Sequence, residues 1–372
     1  MTTRSQSAAT AVLDPVEPGE APRVRGGVVR APASVAELPA ISVIVPVRND
    51  PDNLALCLRA LDASEFSDYE VIVVDDASTD ATAEVARRHD VLLLRQQTRS
   101  GPAAARNLGA RAACHSYLFF VDADVCVQPG TLEQVAEKFR DAPAVDAFFG
   151  SYDASPGAPD FLSQYRNLLH HFVHQAGKER AFSFWSGCGA IKKSVFFGLG
   201  GFDTGYANAS VEDIELGARL RRAGHRVELD KDLQVKHMKR WTLWRMIRTD
   251  VRQRGIPWTR LLLRQGRIPD DLNLRHSQRL SAVLAGGLMA ALALGAWLRD
   301  PILLSAALGC LAGIVLLNRR FYLFLCRVKD PLFALRVTPL HVLYYLYSSL
   351  AFAAGLFLHL RGGRHRQRPD PG

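Results

Sequence analysis

One rhythm constrains this chain most. Between residues 41 and 121, short and wholly apolar runs alternate with segments of helical period. Ile41 to Val47 is β-branched and apolar throughout, as in a strand buried on both faces. Asp50 and Pro51 then signal a helix start, with Asp50 as cap, and Leu54, Leu58 and Leu61 mark its inner face. Val71 to Val74 and Val91 to Leu94 read as further strands. Thr79 to Arg88, capped by Ser78, and Ala103 to Ala113 read as helices, and Tyr117 to Val121 as a fourth strand. Such alternation predicts an α/β domain with a mostly parallel sheet and helices on both sides. Beyond Gly150, Asp160–Gln175 and Val211–Ala223 read as helices, while Ala181–Ile191 and Val227–Val235 read as extended.

Charge is segregated. Residues 1–235 are net acidic, whereas 236–280 carry 12 Lys/Arg against 3 Asp/Glu and 319–372 carry 9 against 2. The basic segments flank three apolar stretches: Ser281–Leu298, Pro301–Leu317 and Pro339–Leu360. Each approaches the roughly 18 residues needed to cross a bilayer. The first two, separated by Arg299 and Asp300, predict a helical hairpin, and the third either spans or lies in the interface. Basic flanks beside apolar helices suit the anionic cytoplasmic leaflet better than nucleic acid. Trp241, Trp244, Met246 and Trp258 among Arg245, Arg248, Arg252 and Arg254 suggest a segment lying on the membrane. The expected organisation is a disordered leader (1–39), a catalytic domain (40–240), a basic amphipathic segment (241–280), a membrane region (281–360) and a basic tail (361–372). The six cysteines have neither zinc-finger nor disulfide-framework spacing, so reduced thiols are expected.

Chemistry concentrates where apolar strands end. Asp75 and Asp76 follow the second strand, and Asp122 and Asp124 follow the fourth. In open parallel sheets, ligands bind beyond the carboxyl ends of strands. Residues i and i+2 of an extended segment share a face, so Asp122 and Asp124 can hold one hard divalent cation. A third acidic cluster, Glu212-Asp213 with Glu215, opens a helix after the Gly-rich runs Trp185–Gly189 and Gly200–Asp203. Helix-start stabilisation alone would account for that cluster in isolation.

Six stretches in order resemble the family 2 glycosyltransferases of GT-A fold, over about residues 41–240: ISVIVPVRND, VIVVDDASTD, SGPAAARNLGA, YLFFVDADV, WSGCGAIKKSVFFGLGGFD and VEDIELGARLRRAG. The resemblance implies that Val47, Asp75 and Asp76 line the nucleotide pocket, with Arg106 and Asn107 nearby. It implies that Asp122 and Asp124 hold Mg²⁺ or Mn²⁺ and the donor diphosphate. His237 is a further metal ligand, Asp213 the general base, and Glu212 its support. Gln253-Arg254-Gly255 lacks the spacing and the Trp of the QxxRW clamp found in processive members, which argues against polymer synthesis. The function so implied is an inverting, metal-dependent transferase at the cell membrane, with its catalytic domain on the cytoplasmic side. It would use a UDP-sugar, or a GDP-sugar, and a lipid or other membrane-associated acceptor. The alternatives are a polyprenyl-phosphate glycosyl synthase or a non-catalytic membrane scaffold of the same fold. A nucleotidyltransferase ranks below these, because Val45–Asp50 contains no glycine for a phosphate loop.

Overall fold

The computed structural model describes residues 37–206, 209–266 and 269–361. The leader expected at 1–39 and the basic tail with Arg364, Arg366 and Arg368 fall largely or wholly outside these residues.

The first half alternates as its apolar runs require. It comprises β1 (Ile41–Val47), α1 (Pro51–Asp62), β2 (Tyr69–Asp75), α2 (Thr82–Ala86), β3 (Leu92–Arg95), α3 (Pro102–Ala112) and β4 (Tyr117–Val121). Next come β5 (Val125–Cys126), α4 (Thr131–Asp141), β6 (Ala147–Tyr152), α5 (Phe161–Gln175), β7 (Cys188–Lys192), α6 (Lys193–Gly198), α7 (Glu212–Arg222) and β8 (Val227–His237). Among the described residues these strands form one sheet of order β3-β2-β1-β4-β7-β6-β8-β5. The β3-β2-β1-β4 half is parallel, β7 runs antiparallel to both neighbours, β6 and β8 are parallel, and β5 is antiparallel to β8.

Period-2 alternation in β1 serves two cores. Val43, Val45 and Val47 pack with α1 and α4 on one face, and Ile44 packs with α3, α6 and α7 on the other. Helices therefore cover both faces, in the α/β architecture of GT-A type that the resemblance implies.

Local expectations needed revision at several points. Asp50 is not a side-chain cap: its carboxylate accepts from Asn53 Nδ2 at 2.9 and 3.0 Å. Ser78 caps nothing either, because its hydroxyl accepts from the Asn49 amide, and the short helix α2 begins only at Thr82. Ala181–Ile191 is a loop until Cys188. Gly217 explains the path of that loop: a Cβ there would sit 2.2 Å from the Phe184 amide nitrogen, so only glycine lets α7 press against it.

The C-terminal part comprises α8 (Leu243–Arg248), a π-helical segment (Thr249–Gly255), α9 (Ile256–Gln265), α10 (His276–Leu298), α11 (Pro301–Leu317), α12 (Arg319–Val328) and α13 (Pro331–Arg361). Helices α10 and α13 are long and apolar enough to cross a membrane. Helix α11 is shorter and breaks by 67° into α12, so the pair makes a third span only if counted together. Helices α10 and α11 do form the expected hairpin, closed by Gly295 against Leu303 and Leu304 and by Gly313 against Leu284. The third apolar stretch is longer than its sequence suggested, since α13 runs straight through Pro339. Large apolar side chains on this region face outward, Trp297 at 78% and Leu350 at 70% exposure, as a lipid-facing surface requires.

Residues 241–265 differ from a helix lying free on a membrane. Trp241 and Met246 are buried in a cluster that joins α5 to α12 and α13, and α9 packs on α13. Leu243 and Trp244 are the large apolar side chains of that first turn that remain outward, Trp244 at 70% exposure.

Candidate active site

The carboxyl ends of β4 and β8 meet through β5. Antiparallel pairing sets Val125 opposite His237, and the Met238 amide donates to the Asp124 carbonyl at 2.8 Å. Asp124 and His237, far apart in sequence, thereby become neighbours. His237 Nε2 lies 3.6 Å from Asp124 Oδ2, and Lys239 Nζ lies 3.1 Å from the same oxygen. Burial pushes the Asp124 carboxyl up, but Lys239 and His237 outweigh it and hold the group well below the usual carboxylate range. His237 stacks on Tyr152 at 4.1 Å between centroids, and its Nδ1 meets Asn167 Oδ1. Because that oxygen can only accept, Nδ1 carries a hydrogen, and Nε2 is the ring nitrogen that faces Asp124.

Asp122 turns the other way. Its Oδ1 accepts from Arg106 Nη2 at 2.7 Å, while Arg106 Nη1 donates to Glu212 Oε1 at 3.0 Å. Arg106 is buried, so one guanidinium ties the end of β4 to the first turn of α7. The second Glu212 oxygen accepts from the Ser210 amide at 2.8 Å. Asp213, beside it, accepts from the Ile214 amide at 2.8 Å and the Ser186 amide at 3.3 Å. Burial, reinforced by the Glu212 charge and opposed by Arg106, pushes Asp213 up to about 7.

These side chains open into one cleft of about 380 Å³. Arg106, Asp122, Asp124, Glu212, Asp213 and His237 all line it. The remaining expected residues stand elsewhere. Val47 is in the core of β1, and Asp75 accepts from the Ser78 amide at 2.8 Å and pairs with Arg95 at 3.2 Å. Asp76 accepts from the amides of Ser100 and Gly101 at 2.6 and 2.9 Å. Gly101, at φ +87°, makes that turn possible at the start of α3. Asn107 spends both ends of its amide on the Phe202 backbone. None of these four lines the cleft among the described residues.

The cleft also contains residues that spacing did not single out. Tyr152, His170, His174 and Trp185 form an aromatic wall, and burial pushes His174 down to about 4, leaving a neutral ring. The π-helical segment contributes Asp250, Gln253 and Arg254. Asp250 is buried between Arg166 of α5 and the Tyr347 hydroxyl of α13, which donates to it at 2.7 Å. Tyr344, Ser348 and Phe352 of α13 also line the cleft, so the last helix forms part of its wall. The only legible signals were the i, i+4 spacing of His170 and His174 and the Gln253-Arg254 pair.

Residues 42–197 match the family described as glycosyl transferase family 2. An uncharacterized glycosyltransferase of Haemophilus influenzae is 29% identical over 48% of this chain and 61% of its own length. A pre-mycofactocin glycosyltransferase of Mycobacterium tuberculosis is 27% identical over 74% of this chain and 55% of its own length. The chain thus spans little more than half the length of these relatives. Among solved structures, a mannosyltransferase from Pyrobaculum calidifontis, in complex with GDP-Man and Mn²⁺, aligns at a TM-score of 0.49 with 18% identity, covering 88% of this chain and 89% of that one. The matched segment holds β1 to β7 and the Asp122/Asp124 edge, while Asp213 and His237 lie beyond it. Residues 42–197 of this chain are a domain of glycosyl transferase family 2.

Proposed function

We propose that the protein is an inverting glycosyltransferase that moves a sugar from a nucleotide-diphosphate donor to an acceptor at a membrane. The observation that carries this reading is Asp213: a carboxylate raised to about 7, facing the same cleft as the Asp122/Asp124 pair. A base with that affinity takes a proton from an approaching hydroxyl near neutral pH. The acceptor oxygen bonds to the anomeric carbon, its proton passes to Asp213, and the bond from that carbon to the diphosphate breaks on the opposite face, inverting the centre. In this reading Arg106 ties Asp122 to Glu212, the neighbour of the base, and the Ser186 amide orients Asp213.

A divalent cation, Mg²⁺ or Mn²⁺, fits the donor set. Asp124 is held ionised and His237 presents Nε2 toward it, while Asp122 is one-third exposed. With their present partners, these three do not converge as a closed cage among the described residues. Asp122 would have to release Arg106, and Asp124 Lys239, toward the cleft. When bound, such a cation neutralises the developing charge of the leaving diphosphate. Lys239, freed from Asp124, would carry positive charge to the same oxygens.

A membrane acceptor is supported by the composition of the cleft wall, which includes Trp258 and α13. UDP- and GDP-sugars are the donor candidates, and the basic flanks favour the cytoplasmic side. Arg166 and Arg254 in the cleft favour one variant of this reading, a lipid phosphate as acceptor. That oxygen is already ionised, so Asp213 would matter less. The test is donor turnover by the full chain in lipid nanodiscs, with a panel of nucleotide sugars and Mn²⁺ and with EDTA as control. Turnover of no nucleotide sugar, or full turnover in EDTA, would overturn the respective part.

A further inference from the structure

The opposite edge of the same sheet carries a second cluster of ligand atoms, remote from the cleft. Glu70 opens β2, and Cys114 and His115 form the turn between α3 and β4. One carboxylate oxygen, the sulfur and one imidazole nitrogen of these residues all lie within 4.8 Å of one another. Among the described residues this is the one trio of His, Cys, Asp or Glu side chains with such convergence.

The cluster is built on buried support. Ser42, with no exposed surface in β1, donates its hydroxyl to Glu70 Oε1 at 2.5 Å and accepts from the His115 amide at 3.1 Å. The Cys114 amide donates to the same Oε1 at 2.6 Å. Both hydrogen bonds engage one carboxylate oxygen, Oε1, and orient the group. Anchoring of this kind, one layer behind the ligands, is what metal sites use to fix ligand geometry.

We propose that Glu70, Cys114 and His115 bind a borderline-soft divalent cation of the zinc type, with water as the fourth ligand. One thiolate, one imidazole and one carboxylate suit Zn²⁺ in tetrahedral geometry, at about 2.0 to 2.3 Å per bond. Glu70 and His115 are half-buried and Cys114 is exposed, so their side chains have room to turn toward one cation. Binding forms three metal–ligand bonds, breaks the S–H bond and releases that proton to water. The cation would tie β2 to the turn that enters β4. The site is separate from the Asp122/Asp124 pair, which offers oxygens and one imidazole to a harder ion.

Cobalt(II) as a spectroscopic stand-in for zinc tests this on the full chain in detergent under reducing conditions. One equivalent should raise a near-ultraviolet thiolate-to-cobalt charge-transfer band that one equivalent of Zn²⁺ bleaches. The band should vanish in Cys114→Ser and His115→Ala and persist in Asp124→Asn. Ser42→Ala should weaken Zn²⁺ binding by about 10- to 100-fold, read by competition with a chromophoric chelator. Absence of the band in the parent protein overturns the proposal. So does its survival in Cys114→Ser, which would place the thiolate at Cys57 or Cys126 instead.

Discussion

The two ends of the cleft use the same side chain in opposite ways. Asp124 sits with Lys239 and His237, which keep its carboxyl ionised despite burial. Asp213, across the cleft, has a carboxylate neighbour in Glu212 and accepts from the uncharged amides of Ile214 and Ser186, and burial prevails. Two aspartates at one opening are thus separated into a permanent anion and a group that exchanges its proton near neutrality. The difference shows that role follows surroundings: a cation-rich end suits a metal and a diphosphate, and a desolvated end suits a proton acceptor.

The sharpest way to break this contrast is Asp213→Asn, which keeps shape and removes the base. Transfer to a hydroxyl acceptor should fall by about 10²- to 10⁴-fold, while nucleotide-sugar binding by calorimetry persists. Parent-like transfer would assign Asp213 to structure. Next in size is Asp250→Ala, which leaves Arg166 buried without its partner. Breaking such a pair costs about 3–5 kcal/mol, so the variant should melt at lower temperature or fail to accumulate. Tyr347→Phe removes only the hydroxyl that α13 donates to Asp250, and should cost about 1 kcal/mol in the same melt.

The pH dependence sharpens the comparison further. The native pKa of about 7 for Asp213 exceeds its ordinary 3.8, so the folded chain binds that proton more tightly than the unfolded chain. Its contribution to stability is therefore present at low pH and is lost as pH rises toward 7. Asp213→Asn should gain stability relative to the parent between pH 4 and 7 and level off above, as read by paired thermal melts. Transfer should rise with the same apparent midpoint, because the base must be deprotonated. A flat profile from pH 5 to 8 would contradict both.

The strands that carry the site were legible because burial on both faces leaves an unbroken apolar run. Ile41–Val47 and Tyr117–Val121 appear with the boundaries their residues suggest. Strand β6 and helix α4 escaped that reading, since Ala147–Tyr152 is short and its pairing with β7 and β8 is decided by distant segments. The acids were legible one cluster at a time. Asp75 and Asp76 look like Asp122 and Asp124 in sequence, yet the former close turns with backbone amides while the latter open into the cleft. Nothing in the spacing distinguishes them, because the difference lies in which donors the fold brings to each carboxylate.

Sequence alone determined the α/β alternation, the apolar helices near the C-terminus and the identity of the acidic side chains. These depend on local period, hydrophobicity and residue type, which the chain carries without reference to its folded partners. Tertiary structure decided which acids share a cleft, that β5–β8 pairing brings His237 to Asp124, that α13 walls the cleft, and that Glu70 meets Cys114 and His115. Each of those outcomes joins segments far apart along the chain, and only long-range packing can set the distances on which charge and coordination depend.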